Sequence, residues 1–208
     1  MKTSLLVVIA AICAAPAFAQ GTDEARGPEA IQQRAYEMMH EIDLTGGFLP
    51  LDPFTKGLYV GGSYTAHFSD SLAWEVARGG YSFGLSTSLR QQLERDFGYL
   101  PTAFDAPQIY AGTALLLKPL YGKLAVANTY VVHAEVFFSV GGSFFKFSAP
   151  TDFRIGPTLG AHTRIYLNQV LSVRIGLDDH VVFSLRDAKL SNIMTLSLSL
   201  GINIGASE

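Results

Sequence analysis

The sequence predicts an all-β protein. The expected fold is a closed antiparallel transmembrane β-barrel of about 8 strands, with a short helix in one extracellular loop and a short N-terminal helical segment. Three observations carry this reading. Hydrophobic residues make up 49% of the chain and charged ones only 16%, against about 25% charged in an ordinary soluble domain. After the first 19 residues, that hydrophobicity is never gathered into a run of about 18 apolar residues, where a membrane-spanning helix would begin. From Ile42 onward, apolar residues instead recur at every second position, the period of a strand with one apolar face.

Residues 1–19 read as a secretory signal peptide. Lys2 supplies the positive start, an apolar run covers 5–15, and Ala17-Phe18-Ala19 is a small-x-small cleavage site. The run is too short to cross a bilayer as a helix. Cys13 is preceded by Ile12, which is too bulky for a lipoprotein signal. Cleavage after Ala19 removes Lys2 and the single cysteine, leaving 14 basic and 18 acidic residues. No disulfide is then available, and the mild negative charge does not point to nucleic acid as a partner.

Residues 20–40 form the expected periplasmic N-terminal segment. Within it, 28–40 has helix-forming composition. Pro28 stands in a first-turn position, and Ile31, Ala35 and Met38 or Met39 lie on one stripe. This stretch reads as a lead-in to the barrel or, alternatively, as a plug or a docking helix for a partner.

The barrel is expected over 41–208. Its clearest strand is 153–167, where Phe153, Ile155, Leu159 and Ile165 alternate with Arg154, Thr158, His162 and Arg164. Leu171, Val173, Ile175 and Leu177 alternate with Ser172, Arg174, Gly176 and Asp178. Met194 to Ile204 repeats the design against Thr195, Ser197, Ser199, Gly201 and Asn203. Weaker alternation marks strands near 42–48, 58–68, 72–77, 109–117 and 134–145, with Gly79-Gly80 expected to form a bulge. Ser69-Asp70-Ser71 and Leu167-Asn168-Gln169 are tight turns. The 85–108 connection is long and contains a capping-box pattern at Ser88-Leu89-Arg90-Gln91, a Leu89, Leu93, Phe97 face and a Gly98 stop. Short periplasmic turns opposite a long extracellular loop suit an outer-membrane barrel. Residues 118–132 are an exception, an unusually long periplasmic connection unless part of them extends the flanking strands.

The polar face is rich in Gly, Ser and Thr with isolated charges. The exterior of a soluble barrel needs far more Lys and Glu, so the apolar face is placed outward against outer-membrane lipid and the polar face inward. The expected lumen network is Glu75, Lys118, Glu135, Arg154, His162, Arg164, Arg174 and Asp178, with His67, His133 and His180 nearby. Trp74, Phe144, Phe145, Phe147, Phe153 and Phe183 are expected in interfacial girdles. The histidines lie on different strands without zinc-motif spacing, so no metal, cofactor or catalytic residue is expected. Asp178 and Asp179, adjacent in a strand, point to opposite faces.

The order of segments AIQQRAYEMMHEIDLTGGFLPLDPF (30–54), AHFSDSLAWEV (66–76), PLYGKLAV (119–126), VVHAEVFFSVGG (131–142) and TRIYLNQVLSVRIGLDDHV (163–181) resembles a family of outer-membrane β-barrel domain proteins found in myxobacteria and relatives. Family members often carry an Asp after the His of the VVH segment, where this chain has Ala134-Glu135. The resemblance implies a non-enzymatic structural or interaction component of an envelope complex, associated in some members with gliding motility. The 85–108 loop or the 28–40 segment would then meet envelope protein partners. The alternatives are a small outer-membrane channel or, from His162 with Ser139 or Glu135, an outer-membrane lipid hydrolase.

Overall fold

The computed structural model of the chain describes residues 38–51, 55–86, 107–126, 130–148, 151–186 and 189–205, together with Ser88, Gln92, Arg95 and Asp96. Two units are distinguished, Met1–Gln32 and Gln33–Glu208, and the barrel belongs to the second. The expected signal peptide, most of the expected N-terminal helix and most of the 85–108 loop lie outside the described residues.

Eight strands follow one another: β1 (His40–Leu49), β2 (Thr55–His67), β3 (Leu72–Ser86), β4 (Pro107–Val126), β5 (Tyr130–Ser148), β6 (Thr151–Tyr166), β7 (Leu171–Ser184) and β8 (Leu190–Ile204). Each pairs antiparallel with the next, and β1 pairs with β8 to close the barrel. Closure leaves no edge with unpaired backbone groups around the wall, the condition a sheet must meet in hydrocarbon. Following paired residues once round the wall from Met194 through Trp74 and His40 ends at Ile204, ten residues further along β8. Such a stagger tilts the strands by roughly 40°, and an interior of eight strands is just wide enough for side chains to fill.

Two details differ from the expectation, at His40 and at the bulge, and residues 118–132 take the alternative of extending the flanking strands. His40, assigned to the N-terminal segment, is the first residue of β1 and pairs with both Ala66 and Ile204. The long 118–132 connection is mostly strand: β4 runs to Val126 and β5 starts at Tyr130, with Lys123 paired to His133. The bulge is not at Gly79-Gly80, which sit in regular register opposite Gly62 and Gly61. The irregularity falls instead between Glu75 and Arg78. An extra residue reverses the alternation beyond it. Glu75 and Arg78, an odd and an even position, therefore both face the interior.

Candidate functional site

Inside and outside are exchanged relative to a soluble protein. Among the described residues, the outward positions are large hydrophobics such as Leu44, Val60, Leu159, Leu198 and Leu200, all about half exposed or more, while polar residues dominate the interior. Trp74, Phe144, Phe153 and Phe183 face outward as expected. Phe145 and Phe147 do not: they are buried in the lumen, because they occupy the inward phase of β5. Trp74, the single tryptophan, donates its Nε1–H to Thr113 Oγ1 at 2.9 Å, and Thr113 Oγ1 in turn donates to the Glu75 carbonyl at 3.0 Å. That chain satisfies an indole N–H on an apolar surface, where an unmade hydrogen bond is costly.

The interior has two parts. Toward the long-loop end it is an apolar plug of Leu49, Tyr59, Tyr110, Phe145, Phe147, Val182 and Ile193. Tyr110 and Phe145 stack with centroids 5.0 Å apart, and both meet the His180 ring edge-on. The sequence predicts a polar lumen network but not this plug, because by composition Phe145 and Phe147 read as interfacial girdle residues.

Below the plug lies a charged network of two chains. In the first, Lys118 Nζ is 3.1 Å from His67 Nδ1, and His67 Nε2 is 3.4 Å from Glu41 Oε2. Glu41 Oε2 also pairs with Arg164, whose other arm reaches Glu135 Oε1 at 3.4 Å. Tyr166 donates to Glu135 Oε2 at 2.7 Å. In the second chain, Arg174 bridges Asp43 Oδ2 at 2.9 Å and Glu75 Oε1 at 3.2 Å. Arg78 bridges Glu75 Oε2 at 2.5 Å and Asp178 Oδ2 at 3.0 Å. Phe137 stacks on His162 and carries the Arg164 guanidinium over its face at 4.9 Å. Arginine suits these positions because its planar fork can serve two carboxylates at once.

Of the expected residues, Glu75, Glu135, His162, Arg164, Arg174 and Asp178 therefore meet in the network, and Lys118 joins through His67. Arg154 does not. It sits near the loop end with Asp152 at 2.8 Å and Ser191 at 3.1 Å, stacked on Phe147. Glu41, Asp43 and Arg78 went unrecognised. Glu41 and Asp43 were legible as the polar phase of β1, whereas Arg78 enters the lumen only because of the bulge.

Inward glycines make room for the charges. A Cβ on Gly160 would strike Asp178 Oδ1 and Ser139 Oγ, and one on Gly176 would strike His162 Nδ1.

Ser139, His162 and Asp178 approach one another, but not as a catalytic relay. Ser139 Oγ lies 3.0 Å from His162 Nε2, and Asp178 Oδ1 lies 3.3 Å from the same nitrogen. His162 Nδ1 makes no hydrogen bond to protein. A relay needs the hydroxyl and the carboxylate on opposite ring nitrogens. All three side chains are also buried in the filled lumen.

No protein-family model matches the chain, and comparison with curated proteins finds no match. Among solved structures, the N-terminal β-barrel domain of Pseudomonas aeruginosa OprF is 11% identical, with a TM-score of 0.46, covering 81% of this chain and all of that one. Neisserial surface protein A is 9% identical, with a TM-score of 0.41, covering 79% of this chain and 95% of that one. An S-type phycobiliprotein lyase from Guillardia theta is 8% identical at a TM-score of 0.26, covering 82% and 90%. With TM-scores below 0.5, none of the three bears on function.

Proposed function

We propose that this protein is a non-conducting outer-membrane β-barrel that serves as a structural or docking component of the cell envelope. The observation that carries the reading is the pairing of an apolar outer wall with a lumen closed twice, by the aromatic plug and by the charged network. A barrel that presents Leu, Val and Ile outward suits lipid, and a filled eight-stranded interior leaves no aqueous path. The partner-binding role then falls to chain outside the barrel wall, the 85–108 connection or the 28–40 segment. Association with motility machinery is the finer part of the proposal and rests on the resemblance of sequence segments.

Three measurements test it. Purified protein inserted into planar bilayers is expected to give no stepwise conductance, and reproducible single-channel steps from correctly folded protein would replace this reading with that of a channel. Trp74 fluorescence is expected to be quenched by vesicle lipids brominated along their acyl chains. An emission indifferent to brominated lipid would place the apolar wall against something other than lipid. For the docking role, separate deletions of 88–97 and of 28–37, which spares the first residue of β1, are expected to remove envelope proteins that co-purify with the barrel, and an unchanged set of associated proteins in both would sink it.

A further inference from the structure

One carboxylate stands on the outer side of the wall. Asp178 and Asp179 are consecutive in β7, so Asp178 enters the lumen and Asp179 faces outward, where it is exposed. Every other Asp and Glu of the eight strands is buried in the interior. Asp179 is not at a rim. Along β7 it lies between Leu177 and Phe183, outward residues that are each about half exposed. Its register partners on either side, Leu159 and Met194, are outward hydrophobics as well. An ionisable side chain set within an apolar wall is costly in hydrocarbon and marks a place that has a partner.

Its own barrel supplies one long hydrogen bond. Asn192 Nδ2 donates to Asp179 Oδ2 at 3.3 Å, and among the described residues no cation pairs with the carboxylate. Asn192 pairs in register with Val181, two residues nearer the loop end than Asp179, so the bond draws the carboxylate toward that end. A lipid acyl chain offers neither a hydrogen-bond donor nor a positive charge, so it cannot complete the site.

The complementary charge is carried by the same chain on another face. Lys146 is an outward, half-buried residue of β5, flanked by Ile109 and Phe153. Among the described residues it has no carboxylate partner. Of the exposed strand lysines, Lys56 already lies over the Phe48 ring at 5.7 Å, and Lys123 belongs to the turn end of β4. Within one barrel Lys146 and Asp179 cannot meet. Lys146 pairs with Phe153 and Asp179 with Leu159, six residues apart on β6, which is about 20 Å along the strand. Two barrels inserted side by side can bring them together. The strand tilt leaves the two residues about 9 Å apart in depth, and the raised carboxylate and the flexible four-carbon lysine stem close that gap.

We infer that the β7–β8 face at Asp179 is covered in the membrane by a second copy of this chain, whose Lys146 supplies the cation. The stacked rings of Phe144 and Phe153 beside Lys146, with centroids 5.6 Å apart, and Leu159 and Met194 beside Asp179 surround the pair with apolar side chains. Water is then kept from weakening the attraction. The contact joins two different faces, so each copy retains one free face of each kind. Association therefore continues beyond a pair, into a ring where the rotation closes and a row where it does not.

The test counts copies of the full protein, dye-labelled at its C-terminus, by stepwise photobleaching in phosphatidylcholine vesicles. Wild-type protein is expected to bleach in several steps per assembly, at densities where chance co-capture gives single steps. Asp179→Asn and Lys146→Gln, each checked for heat-modifiable mobility on SDS gels, are each expected to lose the assembly and bleach in single steps. An equal mixture of the two variants is expected to recover pairs and nothing larger, because each keeps the half of the contact that the other lacks. Single-step bleaching of folded wild-type protein would overturn the inference and leave Asp179 to lipid or to a different protein. Assemblies kept by either folded variant alone, or a mixture that stays monomeric, would overturn it too. The inference rests on the lipid-facing wall proposed above, and Trp74 separates the two failures. Unquenched Trp74 removes the wall, whereas quenched Trp74 with single-step bleaching removes only the second copy.

Discussion

Arg164→Ala is expected to lower the unfolding free energy of the barrel by about 3–5 kcal/mol, the range for removing one partner of a buried ion pair. Arg164 is fully buried and joins Glu41 to Glu135, carboxylates that are themselves fully buried. Removing the guanidinium leaves both without their principal cation in a space closed to water above by the aromatic plug. Denaturant titration of protein reconstituted in lipid vesicles reads the change directly as a shifted midpoint at constant slope. The triple change Arg164→Met, Glu41→Gln, Glu135→Gln is expected to recover most of the loss, because a buried pair exchanged for neutral groups of similar volume is often close to neutral in energy. A midpoint for Arg164→Ala at the wild-type concentration would mean that water reaches the network and that the lumen is not sealed.

Leu198→Arg is expected to cost about 2–4 kcal/mol in the bilayer, whereas Leu190→Arg costs about 1 kcal/mol or less. Both leucines face outward on β8 and are similarly exposed, at 58% and 56%. They differ in depth. Leu198 is mid-strand, between Ile175 of β7 and Gly46 of β1, while Leu190 opens the strand at the loop end. A charge at the midplane must be solvated by deforming the bilayer, and one at the rim reaches the headgroups. Unfolding in vesicles gives the two values. Equal penalties at the two sites would contradict a lipid-facing wall, since a protein or aqueous environment has no such gradient of depth.

The strands that were plainest in the sequence are those with uninterrupted alternation. Along β8, Met194, Leu196, Leu198, Leu200 and Ile202 are exposed, and Thr195, Ser197, Ser199 and Asn203 are buried. There the side-chain period of two settles the face of every residue, and nothing distant is needed. β3 behaves differently. Counting by twos from Trp74 puts Arg78 on the lipid face, yet the irregularity between Glu75 and Arg78 brings it inside beside Glu75 and Asp178. A bulge is set by how β3 meets β2 and β4, so its place is not written in β3 alone. Phe145 and Phe147 show the same limit in another form. Aromatic residues near a strand end suit a girdle by composition, but the phase of β5 buries them.

The amino-acid sequence by itself therefore determined the class of fold, the number of strands and the polarity of each face. These follow from local periodicity and from the hydrophobicity of the chain as a whole. Which charges meet was decided only by the tertiary structure. Arg164 and Glu41 are 123 positions apart, and Arg174 and Glu75 are 99 apart. They become neighbours because the wall closes at β1 and β8 with a fixed stagger, which brings carboxylates of the first and third strands to the arginines of the sixth and seventh. Side-chain alternation says that a residue points inward; barrel closure and register say what it finds there.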